Sequence, residues 1–457
     1  MRLIGFFVFL HGKDGCEMNG MKEMNDMKSI IYIKSANQVV TVKGASDLPK
    51  RGRDMSELGI IENGSVILVD DRIGFAGTDE EAANYLDAVT GNVTTIDAAG
   101  KVVTPGLVDP HTHLVFAGSR EKEFEMRLQG VKYIDILKQG GGILSSTKST
   151  REATMEQLIE QSYARLNRFL QHGVTTVEAK SGYGLTVEDE LKQLRAARRL
   201  NELHPVDLVS TFMGAHAVPA QYKENPEAFV SLITDKMIPL VASENLAEFC
   251  DVFCEDGAFT ALQSERILEA GKRYGLKPKI HADEIVYTGG AELAVKVGAV
   301  SAEHLLQVSD EGIRKLAGSQ TIAVLLPATA FFLMEQPARA RKMIEEGVAV
   351  ALSTDCNPGS SPTQSMPFVM NAACITMRMT PAEVLAAATI NAAHAIGRAD
   401  QIGSIEAGKK ADIVLFNASN YQMLQYNFAV NLVDTVIKNG KLAVKEGVLL
   451  GKKTASG

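Results

Sequence analysis

A chain of 457 residues exceeds what one ordinary hydrophobic core organises, and domains of roughly 150 residues set an expectation of two or three units. Its 46% hydrophobic and 22% charged residues match the globular average, which excludes a disordered chain. A net charge of −8 without a dense basic block argues against nucleic acid, and no apolar run approaches the roughly 20 residues of a membrane span, so the expected partner is a small molecule.

The first patterned sequence begins at Ser29. Residues 1–27 contain a short apolar stretch after Arg2, no small-residue cleavage site and four methionines (Met18, Met21, Met24, Met27) that offer alternative starts. They are read as an extension, disordered or added by a mis-assigned start, rather than as an export signal. Cysteines are odd in number and scattered (Cys16, Cys250, Cys254, Cys356, Cys374), which fits a reducing, cytoplasmic setting. Cys250 and Cys254 have zinc-like spacing, but the surrounding run EFCDVFCEDGAF is strand-like, and both are expected to be buried thiols.

From Ser29 to about Val103, β-branched runs are broken by turn signals, including Asn63-Gly64; the same texture returns in ADIVLF and in DTVIKNGKLAVKEG around Asn439-Gly440. One small β-sandwich, built from residues 28–103 and 400–457, is the economical reading. Between them, over 104–399, eight apolar segments alternate with amphipathic helices: VVTPGLVDPHTH, VTTVEAK, VDLVSTFMGAH, CDVFCEDGAF, LKPKIHADE, GAVSAEHL, TIAVLLPAT and VAVALSTD. That alternation predicts a (β/α)8 barrel. One helix is expected from Ser149 to Gly173, opened by a Ser-x-x-Glu capping box.

In such barrels the chemistry sits where strands end. Those ends carry His111 and His113, Glu178 and Lys180, His216, Glu255, His281 and Glu284, Glu303 and His304, Thr329, and Asp355. His111 and His113 are separated by one residue, so a strand points both imidazoles to the same face. A histidine-rich site with a carboxylate suits Zn2+ or Fe2+ better than the hard cations that prefer all-oxygen shells.

The His-x-His after Pro105-Gly106-Leu107-Val108-Asp109, with His281, His304 and Asp355 on later strands, resembles the amidohydrolase superfamily. Within it the chain is most similar to the imidazolonepropionase family, through FAGSREKEFEMRLQG, EAKSGYGL, FMGAHAVP, HADE and LSTDCNPGSSPT, from about Ser29 to about Gly447. The resemblance implies one metal ion per chain, Zn2+ or Fe2+/Fe3+, held by His111, His113, His281 and Asp355. Strand four ends at Phe253-Cys254-Glu255 without the lysine that bridges two metals in many superfamily members; Lys180 belongs to strand two, as a structural residue or partner of Glu178.

It further implies hydrolysis of 4-imidazolone-5-propanoate to N-formimidoyl-L-glutamate. Asp355 would act as general base, His304 at the carbonyl oxygen, and Glu284 at a ring nitrogen or the attacking water. Substrate contacts would come from Arg120, Tyr183, His216, Glu284, Asn357, Gly359 and Ser360, the last three offering N–H groups and a hydroxyl to the carboxylate tail. A homodimer is implied as well. The alternatives are a deaminase or formimidoyl-glutamate iminohydrolase on the same metal shell and, in another class, a non-catalytic assembly protein, which would be expected to have lost ligands.

Overall fold

The computed structural model describes residues 27–131 and 141–451. All of the expected extension but Met27, and with it Cys16, lies outside the described residues. The first long β-branched run becomes strand β1 (Lys28–Val40), whose two halves serve different neighbours. It runs antiparallel to β2 (Ile60–Val69), while its first half lies parallel to β4 (Gly91–Asp97) and its second to β5 (Val102–Pro105). A bulge between Ile33 and Ala36 makes the change of neighbour possible. There Ser35 adopts a φ of +58°, and its hydroxyl donates to Asp79 Oδ2 at 2.6 Å.

β3 (Arg72–Thr78) follows by a hairpin, and the C-terminal strands β14 (Ile413–Phe416), β15 (Val433–Lys438), β16 (Lys441–Lys445) and β17 (Val448–Leu449) join through β5. Both ends of the chain therefore build one β-domain, continuous in its hydrogen bonding: β17-β16-β15-β14-β5-β1-β2-β3, with β4 beside β1. Alternation along β2 sends Val66 and Leu68 into a core with Ile33, Val39, Val103, Ile413 and Leu415. Ile67 turns to the opposite face, with Ile30 and Ala82.

The eight expected barrel strands all form: β6 (Leu107–Asp109), β7 (Val174–Lys180), β8 (Asp207–Ala215), β9 (Phe249–Cys254), β10 (Lys277–Ala282), β11 (Ser301–His304), β12 (Ile322–Leu325) and β13 (Val350–Leu352). They are parallel and neighbour one another in chain order. The run VVTPGLVDPHTH, expected as one strand, is split between the two sheets at Gly106. The Gly106 N–H donates to Asp412 O at 2.8 Å in the β-domain, and the next N–H, of Leu107, donates to Gly173 O at 3.0 Å in the barrel. A side chain at Gly106 would collide with Thr175.

The helix expected from Ser149 is two helices, Ile143–Glu152 and Met155–Gln171. Ser149 lies inside the first. The capping box belongs instead to Thr154 and Gln157, each accepting the other's backbone N–H. The expected stop holds: Gly173, at φ +81°, follows the second helix.

β6 and β13 meet beyond their C-terminal ends. Thr112 and Cys356 form a parallel bridge, the Asp355 N–H donates to His111 O at 3.1 Å, and the His113 N–H donates to Cys356 O at 3.0 Å. Below them, buried Asp109 accepts from the Thr354 hydroxyl at 2.6 Å and from Ser353. Cys250, Cys254 and Cys356 are free, buried thiols, as expected for small hydrophobes.

Candidate metal centre and active site

Alternation on the short segment after β6 turns His111 and His113 to one side, where they meet His281 at the end of β10 and His304 at the end of β11. Ring centroids lie 4.5 Å apart for His111–His281, 5.5 Å for His113–His281 and 5.1 Å for His281–His304. Asp355 enters from beyond β13: its Oδ1 lies 3.4 Å from His111 Nε2 and 3.9 Å from His113 Nε2, and its Oδ2 accepts the Thr329 hydroxyl at 2.8 Å. Among the described residues three triplets of donor atoms each fall within 4.8 Å of one another: Asp251, His281 and Glu303 behind the mouth and, at the mouth itself, His111, His113 and Asp355, and His111, His281 and His304. Together the two at the mouth contain all four expected ligands and add His304.

The donor set fits a metal ion. Nε2 of His111 and of His281 is buried with no hydrogen-bond partner among the described residues, although such atoms are rarely left unsatisfied in a folded protein. Burial and the surrounding imidazoles hold His113 well below the usual histidine range, leaving it neutral. A backbone carbonyl can only accept, so the 3.4 Å contact of His113 Nδ1 with Ser181 O puts the proton on Nδ1 and the lone pair on Nε2. Asp355 stays a carboxylate: burial opposes its charge, but His111 and His304 draw it down to about 2. His304 and Asp355 both hold positive φ, +73° and +52°, a conformation that non-glycine residues keep only where their surroundings enforce it.

Glu284 is only 14% exposed, and its Oε1 lies 3.5 Å from His304 Nδ1. Loss of solvent, then the charge of Asp355, push its carboxyl up to about 8. Its position is set by Glu255 at the end of β9, whose carboxylate accepts the N–H groups of Glu284, Ile285 and Val286 at 3.2, 2.8 and 3.2 Å. His216 stacks on His113 with centroids 4.7 Å apart, and its Nδ1–H donates to Gly182 O at 3.0 Å.

Arg120 reaches the same mouth. Its guanidinium occupies the space above Gly359, where a Cβ would overlap it, and it hydrogen-bonds the buried Tyr183 phenol. The Tyr183 ring packs edge-on against His113 and His216. The loop after Asp355 departs from expectation in one respect. The N–H groups of Gly359 and Ser360 are not free for a ligand, because Asn357 Oδ1 already accepts both, at 2.7 and 2.8 Å. Asn357 Nδ2 in turn donates to the Ser360 hydroxyl and to Asp355 O, each at 2.8 Å. The self-closed turn is a rigid seat for Arg120.

A family model for amidohydrolases matches residues 102–443. The chain belongs to the amidohydrolase family. Among curated relatives, an imidazolonepropionase of Shouchella clausii is 68% identical over 93% of this chain and 95% of its own, and one of Geobacillus sp. is 61% identical over 92% and 99%. This places the chain in the imidazolonepropionase branch of the amidohydrolases. Of solved structures, a zinc-bound adenosine deaminase of Xanthomonas campestris has a TM-score of 0.69 at 18% identity, covering 94% of this chain and 95% of its own. An ochratoxinase of A. niger has a TM-score of 0.65 at 18% identity, covering 92% and 96%. At that identity the likeness extends to the fold.

Behind the histidines of this amidohydrolase lies a layer that sequence reading did not assemble. Lys180 is the partner of Glu178, at 3.1 Å, as expected, but its Nζ also lies 2.7 Å from Asp251 and 2.9 Å from Glu303. Lys279 bridges Glu178 and Glu303 at 2.7 and 3.1 Å. These five side chains, from β7, β9, β10 and β11, are wholly buried. The available signal was charge at inward-facing strand positions, Asp251 and Lys279 among them, where a barrel interior is ordinarily apolar.

Proposed function

We infer that the protein is a metal-dependent hydrolase that opens the cyclic amide of 4-imidazolone-5-propanoate, yielding N-formimidoyl-L-glutamate in histidine degradation. The 68% identity to an imidazolonepropionase across 93% of the chain carries the reading. The grouping of Arg120 and Tyr183 beside the metal-ligand cluster supports it, because a carboxylate-tailed substrate calls for a cationic, planar partner. A deaminase is not favoured: the solved adenosine deaminase is alike at 18% identity only, and a purine offers no carboxylate to Arg120.

In this reading His111, His113, His281 and Asp355 hold one ion per chain, Zn2+ or Fe2+/Fe3+. When bound, the ion would supply Lewis acidity, lowering the pKa of a water toward roughly 7 and polarising the amide carbonyl. Asp355 takes one proton from the attacking water and later delivers it to the ring nitrogen as the C–N bond breaks; the water oxygen ends in the new carboxylate. His304 donates to the carbonyl oxygen as negative charge builds on it. Glu284, whose carboxyl keeps an acceptor oxygen in either protonation state, accepts a ring N–H. Arg120 and Tyr183 hold the propanoate, with Asn357, Gly359 and Ser360 fixing the turn against which Arg120 lies. His216 presents Nε2 to the substrate, its Nδ1–H being committed to Gly182.

Loss of ultraviolet absorbance of imidazolonepropionate with metal-loaded enzyme tests the assignment, with guanine and formimidoyl-glutamate run beside it. Turnover of the first alone is expected; turnover of either of the others in its place would sink the reading. We also propose a cytoplasmic homodimer. No helix among the described residues is long and apolar enough to cross a membrane. Support for a dimer comes from three exposed aromatics packed on half-buried ones, Phe124 on Phe332, and Phe331 and Phe428 on Phe368.

A further inference from the structure

Two of the imidazoles that converge at the barrel mouth have carboxylates behind them. His281 Nδ1 lies 3.1 Å from Asp251 Oδ2, and His111 Nδ1 is in contact with Glu303 Oε2. These two carboxylate oxygens are the same atoms that lie 2.7 and 2.9 Å from Lys180 Nζ. One ammonium thus joins the two carboxylates, and the two carboxylates face the two rings. The second oxygen of Glu303 is held separately, by Lys279 at 3.1 Å and by the Ser301 hydroxyl at 2.7 Å. Every member is shielded from solvent, so none can relax toward water if a neighbour is removed.

A carboxylate behind Nδ1 selects one tautomer: the proton goes on Nδ1 and the lone pair on Nε2. In both rings Nδ1 is the nitrogen that faces a carboxylate, which leaves Nε2 as the other buried nitrogen without a hydrogen-bond partner; in His111 it lies 3.4 Å from Asp355 Oδ1. We propose that Asp251 and Glu303 are positioning residues that set the tautomer and ring orientation of His281 and His111, and that Lys180 is the internal cation that locks the two carboxylates in register. Lys279 and Ser301 keep Glu303 from rotating. The inference rests on the metal reading given above, and it concerns the donor geometry rather than the reaction.

Metal affinity is therefore the quantity to measure, by chelator competition for zinc on the purified full-length protein, beside the thermal midpoint of the metal-free form. Asp251→Asn and Lys180→Met are expected to weaken zinc binding about 10- to 100-fold, the usual effect of removing a group that orients a ligand. Cobalt-loaded variants should show altered visible ligand-field bands. Zinc affinity within twofold of the parent in a folded Asp251→Asn variant would overturn the proposal. So would a lowered midpoint with unchanged cobalt bands, which is the behaviour of a purely structural ion cluster. If the buried-charge variants do not fold, Ser301→Ala decides: it removes one hydrogen bond to Glu303 and should weaken zinc several-fold, and full affinity would refute the role. A parent protein that binds no metal at all would instead refute the metal reading itself.

Discussion

In the proposed mechanism most of the chemistry converges on Asp355: it faces two imidazoles, is fastened by Thr329, and keeps its charge in a buried place. Asp355→Asn retains the shape and loses both the negative charge and the basic oxygen. Turnover should fall by at least about a thousandfold in a single-turnover assay, near the limit for losing general-base and ligand functions together; measurable residual activity at a tenth of the parent rate would remove Asp355 from the mechanism. Arg120→Ala would remove the proposed tail contact, one made equally in ground and transition states. It should raise KM by roughly 10- to 100-fold, the worth of a charge-assisted hydrogen bond pair, with kcat nearly unchanged. Gly359→Ala offers an independent check, since the added methyl takes the space of the guanidinium. It should reproduce the KM defect, and combining the two substitutions should add little, because both act through one group.

Strand ends were the most legible elements. Period-two spacing identified His111 and His113 as neighbours on one face, and each of the eight apolar segments falls on a barrel strand, because buried parallel strands are short apolar runs between helices. Two boundaries were not legible. Gly106 divides one apolar run between two sheets, and nothing in the local pattern distinguishes a strand that continues from one that changes partner. Ser149 carries a capping signature that Thr154 fulfils five residues later, because both fit the same short motif and tertiary packing chose between them. Thr154→Ala should therefore cost about 1 kcal/mol of stability in a denaturant titration, and Ser149→Ala, inside a helix, should not show a cap's loss. The acid–lysine layer was invisible for a different reason: Asp251, Glu303, Lys180 and Lys279 are far apart in the chain, and only the closed barrel brings their charges together.

Over the whole molecule the assignments become countable. Metal analysis of untagged protein should find about one zinc or iron per chain, as a single open site of four protein ligands requires; two per chain would contradict the single-ion reading. Sedimentation should give the mass of a dimer, and Phe331→Glu, placing a charge on the exposed aromatic face, should shift it to monomer while leaving the barrel folded. An unchanged sedimentation coefficient would move the interface elsewhere.

The bridge between Thr112 and Cys356 gives the site a place in the folding history of the chain. It joins the first barrel strand to the last, across a contour of more than half the protein, and the backbone groups that make it belong to Cys356 itself and to the flanking His111, His113 and Asp355. Sealing the barrel and assembling the donors are accordingly one event, which a growing polypeptide cannot complete until its later strands have emerged. A captured ion would act as a clasp over that seam, opposing the entropy of a very long loop. Stripping the ion with a chelator should thus hasten hydrogen exchange first at the amides of His113 and Asp355, before the strands opposite them loosen.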